Sequence, residues 1–266
     1  MKLIAAIFDW AGTTVDHGSL APVRAMQQLF AQHQVPVSAE EARAFMGLLK
    51  RDHIAGTFTL PRVRQAWTDR HGAAPNDATV AQLFAEFIPM QLNILAGYST
   101  LIPGVAAAIG RMRARGLKIG STTGYTRPML DLLLEHAALQ GYRPDSAVSP
   151  DDVGGGRPYP WMIYENAVRM KVYPLWAMVK IGDTASDIDE GRNAGLWTIG
   201  VVRTGNMTGL SEDEWNALPA AQRNEILITA RARMSVAGAH YVIDCVAGID
   251  PVLDQIDQRL SGEERP

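Results

Sequence analysis

The chain reads as an α/β protein, a doubly wound parallel sheet with an inserted helical cap domain. Three observations predict it. Strand-like apolar runs alternate with helix-like segments from about Ile102 onward. A short unbroken apolar run, Lys2 to Phe8, opens the sequence as a buried strand. Between them, from about Ser19 to Tyr98, lie helix patterns and no convincing strand. The predicted division is a core of residues 1–18 and 99–266 and a cap of residues 19–98.

The elements follow in order. In the cap, Ser38-Ala39-Glu40-Glu41 is a capping-box sequence that opens a helix. Asn76-Asp77 caps another that runs to about Ala96, with a bend expected at Pro89. In the core, Ile102-Pro103-Gly104 leads into a helix from Val105 to Arg115, stopped by Gly116. Leu117 to Ser121 is a strand, Arg127 to Gln140 a helix, Ala147-Val148 a short strand and Trp161 to Met170 a helix. Ala177 to Ile181 is a strand, Ser186 to Ala194 a helix, Trp197 to Val202 a strand, and Tyr241-Val242-Ile243 the last strand. Ser261 to Pro266 reads as a frayed polar tail.

Composition narrows the function classes. An apolar fraction of 47% over 266 residues fits a soluble protein with a real core. A net charge of −3 without like-sign blocks gives no electrostatic case for nucleic acid or an anionic membrane. The single cysteine, Cys245, excludes an internal disulfide and fits a reducing cytoplasm. The apolar run before Asp9 is too short for a signal peptide or a membrane span.

Four segments converge on the carboxyl edge of such a sheet, where open α/β folds bind ligands. Asp9 and Thr13 follow the first strand, with Gly12 allowing a tight turn. Gly120-Ser121-Thr122-Thr123-Gly124-Tyr125 offers hydroxyl donors for phosphoryl oxygens, although the same hydroxyls could simply satisfy loop backbone. Gly154-Gly155-Gly156-Arg157-Pro158 delivers one fixed cation suited to phosphate, or else a solvated loop arginine. Gly182-Asp183-Thr184-Ala185-Ser186-Asp187 brings two carboxylates. With Asp9 these make a hard oxygen site suited to Mg²⁺; they would also serve as acids at a helix N-terminus.

The order and spacing of these segments resemble the haloacid dehalogenase-like superfamily of aspartyl-phosphate hydrolases, over about two-thirds of the chain. The resemblance implies that Asp9 is the nucleophile and that Thr123 orients the phosphoryl group. It further implies that Asp9, the Ala11 carbonyl and Asp183 hold Mg²⁺, and that the inserted helices are that superfamily's cap. Two positions depart from the common pattern. Arg157 stands where many members have Lys. Ala11 stands where most phosphatases of the superfamily carry a second Asp as general acid. Without that acid an ester phosphatase would release an unprotonated alkoxide.

Met46-Gly47-Leu48-Leu49-Lys50-Arg51-Asp52-His53 places a lysine in apolar company, beside Arg51. A free lysine, with a pKa near ~10.4, is protonated and unreactive at neutral pH. Apolar burial and a nearby cation would lower that value and free the amine for Schiff-base chemistry; a surface lysine with its stem along the cap is the plain alternative. The sequences FDWAGTTVD, MGLLKRDHI, GSTTGYTR, GRPYPWM and GDTASDIDEGRNAG together resemble the phosphonatase family, across cap and core alike. This implies imine formation at Lys50 with the aldehyde of phosphonoacetaldehyde, Met46 and the Thr123–Arg157 pair binding substrate, and a C–P bond broken with loss of an enamine. No alkoxide then leaves, which accounts for Ala11. His53 is the candidate for proton handling, with a structural role as its alternative. The implied assembly is a homodimer through the cap, acting on a small phosphonate. The alternatives are a Mg²⁺-dependent phosphate-ester phosphatase and a non-enzymatic phosphate-binding protein, which would be expected to lack Asp9 or Asp183.

Overall fold

All six strands of the computed structural model, which describes residues 1–266, run parallel in one sheet. β1 (Ala5–Phe8) lies inside it, with all four residues buried because both faces are covered. It pairs on one side with β2 (Lys118–Thr122), beyond which lies β3 (Ser146–Val148). On the other side it pairs with β4 (Met178–Gly182), followed by β5 (Trp197–Val201) and β6 (Tyr241–Ile243). The spatial order is β3-β2-β1-β4-β5-β6, and the register sets Phe8 beside Ser121 and Ile181. The chain thus winds outward one way from β1 and then the other way from β4. The crevice between those two strands is the topological switch point, and Asp9 and Asp183 are the first residues past their ends.

Five helices follow β1 before the chain returns to the core: α1 (Leu20–Gln32), α2 (Ala39–Arg43), α3 (Lys50–Thr57), α4 (Pro61–His71) and α5 (Asp77–Leu95). As the sequence predicts, no strand interrupts them. The Ser38 capping box forms, with Ser38 Oγ accepting from Glu41 N at 3.1 Å and the Glu41 carboxylate accepting from Ser38 N at 2.8 Å. The helix it opens lasts only five residues, however, and helix resumes at Lys50. Asn76 caps α5, which continues through Pro89. α1 and α3 pack on α5. Met26, Phe30, Phe58 and Phe87 belong to the same buried apolar cluster as Phe8, Val179 and Ile181 of the sheet. Each such side chain contributes roughly 1.5–3 kcal/mol on burial, so one shared core seats these helices on the sheet.

The remaining helices link the strands: α6 (Val105–Ala114), α7 (Arg127–Leu139), α8 (Pro150–Val153), α9 (Trp161–Met170) and α10 (Ala185–Asn193). α11 (Glu212–Ala217) and α12 (Ala220–Val236) fill the interval before β6, and α13 (Asp250–Ser261) closes the chain. None of these last three helices is expected from the strand–helix alternation in the sequence. α12 fully buries only Ala230 and Met234, so its apolar period is faint. No helix is long and apolar enough to cross a membrane.

Candidate active site

One small polar pocket at the sheet's carboxyl edge gathers Asp9, Ala11, Met46, Lys50, Thr123, Arg157 and Asp183. Sequence reasoning names all seven; Thr13, His53 and Asp187, which it also names, are not part of the pocket wall. Asp9 is held at the end of β1 by its own N–H, which donates to Ile181 O at 2.9 Å. Just beyond, Gly12 adopts φ +78°, and a Cβ there would stand 2.1 Å from Asp183 Oδ2. Only glycine lets the first loop turn this tightly against the second acid.

The two ends of the pocket differ in charge balance. Asp9, Asp183 and Asp187 present carboxylate oxygens within 4.8 Å of one another, all buried. Asp187 occupies the first turn of α10, where its carboxylate accepts from Thr184 Oγ1 at 2.7 Å. Burial would raise its pKa, but Arg157 and Lys180, at 3.0 and 2.9 Å, hold it below the usual carboxylate range. Asp183 has no such cation. Its Oδ2 accepts from Asn206 N at 2.7 Å, and burial together with Asp9 and Asp187 pushes its pKa well up. Asp9 is also raised, by burial and then by Asp187, against the pull of Arg157. Two crowded acids short of positive charge, with backbone Ala11 beside them, fit a hard divalent cation.

Arg157 closes the opposite wall. Its Nη2 donates to Asp9 Oδ1 at 2.7 Å and to Thr122 Oγ1 at 3.0 Å, and its Nε donates to Glu190 Oε2 at 2.9 Å. The guanidinium is buried, a cost that Asp187 and Asp9 outweigh, so its pKa rises. Thr123 is buried beside it, and its Oγ1 accepts from Tyr125 N at 3.1 Å.

Lys50, the first residue of α3, enters from the other side. It is only 3% exposed and forms no ion pair; its Nζ stands 4.8 Å from the Tyr125 ring centroid. Burial lowers its pKa to about 8 despite the counter-pull of Asp9. The cation assisting that shift is Arg157, whereas the neighbouring Arg51, which the sequence pointed to, is exposed. His53 lies one turn further along α3, buried, with Nε2 on Ala42 O at 2.7 Å. A carbonyl partner requires Nε2 to carry the proton, leaving Nδ1 as a bare, unpaired acceptor. Burial and the Lys50 charge hold His53 neutral, its pKa down to about 3.

Gly124 serves a purpose different from the expected close approach to a ligand. A Cβ there would stand 2.4 Å from Leu48 O, so this glycine lets the Met46–Leu49 segment lie directly on the core loop. Sequence reasoning also missed Lys180 and Glu190. The signal was present: Lys180 is a charge inside a strand buried on both faces, and Glu190 follows Asp187 at i+3, on the same helix face.

A parallel sheet whose switch point brings together Asp9, Asp183 and a buried cation is an arrangement suited to a hydrolase that handles phosphoryl groups. The haloacid dehalogenase-like hydrolase family model matches residues 5–195, and the chain belongs to that family. It is 46% identical to the phosphonoacetaldehyde hydrolase of Bacillus thuringiensis (strain Al Hakam), over 97% of this chain and 98% of that protein. The crystal structure of a phosphonoacetaldehyde hydrolase like protein from Oleispira antarctica superposes with a TM-score of 0.99 at 40% identity, covering 100% of this chain and 96% of that one. A hydrolase from Pseudomonas syringae, 17% identical with a TM-score of 0.67 over 95% of this chain and 99% of that one, shares the fold.

Proposed function

We propose that the protein hydrolyses the C–P bond of phosphonoacetaldehyde to acetaldehyde and phosphate, through a Lys50 imine and an Asp9 aspartyl-phosphate. The observation that carries this reading is a buried, ion-pair-free lysine facing the same pocket as Asp9 and Arg157. A simple ester phosphatase has no use for such an amine. The near-full-length similarity to phosphonoacetaldehyde hydrolases supports it independently.

In this scheme the Lys50 amine condenses with the aldehyde and releases water. One Asp9 oxygen attacks phosphorus as the P–C bond breaks, and that electron pair enters the iminium to give an enamine. Arg157 and the Thr123 hydroxyl orient the phosphoryl oxygens, with Met46 against the two-carbon arm. Protonation of the enamine carbon, then water addition to the imine, frees acetaldehyde and restores Lys50. Water attack on the acyl phosphate releases phosphate and restores Asp9. We assign His53 a part in proton handling at Lys50: held neutral, its unpaired Nδ1 would accept a hydrogen bond from the amine rather than take up its proton. Asp9, Asp183 and the Ala11 carbonyl would hold Mg²⁺, which when bound supplies positive charge against the phosphoryl oxygens.

Residues 19–98 act as the cap over a core of 1–18 and 99–266, Met46 and Lys50 being its contribution to the site. We also propose a homodimer. Exposed Tyr159, Trp161, Tyr164, Val168 and Tyr173 support an interface along α9 and its flanks; the cap interface that the resemblance implies is the alternative, and a dimer kept by Val168→Glu would favour it. Sedimentation of Val168→Glu tests it: a wild-type dimer turned monomer is expected, and a monomeric wild type refutes it.

The test of function is phosphate release from phosphonoacetaldehyde, with borohydride trapping by acetaldehyde followed by peptide mass mapping. An ethyl adduct on Lys50 is expected. Turnover of simple phosphate esters independent of Lys50 would favour the phosphatase reading instead.

A further inference from the structure

Lys180 and Glu190 are fully buried charges that the scheme above leaves without a task. Their contacts form one connected set behind Arg157. Glu190 Oε2 accepts from Arg157 Nε at 2.9 Å and from Thr122 Oγ1 at 2.8 Å, and lies 3.2 Å from Lys180 Nζ. Thr122 Oγ1 in turn accepts from Lys180 Nζ at 2.7 Å and from Arg157 Nη2 at 3.0 Å. Lys and Arg can only donate, so the Thr122 hydroxyl has one direction left for its proton, toward Glu190. The hydrogen bonds of the set are therefore fixed in a single arrangement. It ties the end of β2, the middle of β4 and the first turns of α10 to one guanidinium.

We propose that Glu190, held in place by Lys180 and Thr122, is the positioning residue that keeps the Arg157 guanidinium aimed at phosphorus throughout the reaction. The inference rests on the aspartyl-phosphate reading. Before attack, Arg157 Nη2 is held by Asp9 Oδ1 at 2.7 Å. Once Asp9 is esterified it loses its charge, and Nη2 loses a charged acceptor as the phosphoryl oxygens take over. The Nε contact to Glu190 lies outside the pocket and takes no part in that exchange. Together with Thr122 and the Asp187 carboxylate, each 3.0 Å from Nη2, it fixes the guanidinium plane while the Asp9 contact changes, as preorganised charge stabilisation requires. Fold support alone is a poor account of the pair, since buried ion pairs replaced by apolar groups of similar volume are often neutral or stabilising.

Glu190→Gln keeps the shape and one acceptor but not the charge. Its kcat for phosphate release is expected to fall about tenfold, with KM and borohydride trapping by acetaldehyde within about twofold of wild type. Glu190→Met and Lys180→Met each strand a partner and should lower Tm. The double variant should regain only part of that Tm, because Asp187 has lost Lys180 and Arg157 Nε its acceptor, while kcat stays down about a hundredfold. Recovery of kcat together with Tm in the double variant would make the pair a fold support and overturn the proposal. So would wild-type kcat in Glu190→Gln, or trapping lost in step with phosphate release. The Gln arm decides alone if the double variant does not fold. A wild-type protein that releases no phosphate would defeat the functional reading itself, a result distinct from all of these.

Discussion

Arg157 Nη2 and Asp9 Oδ1 meet at 2.7 Å across the pocket, 3% and 6% exposed. The proposed nucleophile is thus held by the cation proposed to receive the phosphoryl group, and the attacking oxygen needs no search for its orientation.

Asp9→Asn is expected to abolish phosphate release, by more than about a thousandfold, because an amide is a poor nucleophile. The fold should persist, since the carboxylate it replaces is destabilised by burial and by Asp187. Phosphate release and thermal unfolding on one preparation check this. Substantial turnover by a variant free of wild-type contamination removes Asp9 from the nucleophile's role.

Lys50 links activity and stability to pH. With its pKa near 8, about a tenth of the side chain is free amine at pH 7, so the borohydride-trapping rate should climb with pH through about 8. The folded value lies below the ordinary 10.5, so between about 8 and 10.5 the unfolded chain binds more protons and this residue's contribution makes stability rise with pH. Below 8 its burial costs up to about 3 kcal/mol. Lys50→Met should consequently be inactive yet melt higher than wild type at pH 7, and Lys50→Arg should be inactive with no such gain. A trapping rate flat from pH 6 to 9 would contradict the assignment.

Asp183→Asn should stabilise the protein in chelator, by relieving the crowding that pushes Asp183 well up, and should lose the stabilisation that Mg²⁺ gives wild type. Melting curves with and without Mg²⁺ read both effects. An equal Mg²⁺-induced rise in the variant would take Asp183 out of the metal site.

Gly124→Ala brings a methyl group 2.4 Å from Leu48 O and must push the Met46–Leu49 segment away. Lys50 follows that segment directly, so kcat/KM should fall by about tenfold or more, with a stability loss of about 1–3 kcal/mol. Unchanged kinetics would show that this contact does not govern where Lys50 stands.

The sheet, its switch point and Asp9, Thr123, Arg157 and Asp183 were legible because each rests on a short local signal: an apolar run, a glycine turn, or a polar residue just past a strand. Ala11, Met46 and Lys50 were legible for another reason, the motifs shared with the family; apolar neighbours alone left Lys50 open to a surface role. What local reading misses is partnership across the fold. Thr122, Lys180 and Glu190 lie 58 and 68 residues apart in hydrogen-bonded contact, and no spacing rule joins them. Arg51 misled because sequence adjacency puts it beside Lys50 while the helix turns it to solvent. α13 was within reach, since Leu253, Ile256 and Leu260 are buried at helical spacing, but the strand–helix alternation does not demand it.

Lys50 reaches the pocket on the stretch of chain between β1 and β2, whereas Asp9, Thr123, Arg157 and Asp183 all stand on loops of the sheet edge. The residues proposed to handle phosphorus and the one proposed to handle carbon are consequently inherited on separate pieces of sequence. A change in the intervening stretch would alter what meets the carbon end of the substrate while Asp9, Thr123, Arg157 and Asp183 keep their places on the sheet edge. Ala11 marks the one place where such a change would leave its trace on the sheet side, since a lineage returning to ester substrates would need an acid there again.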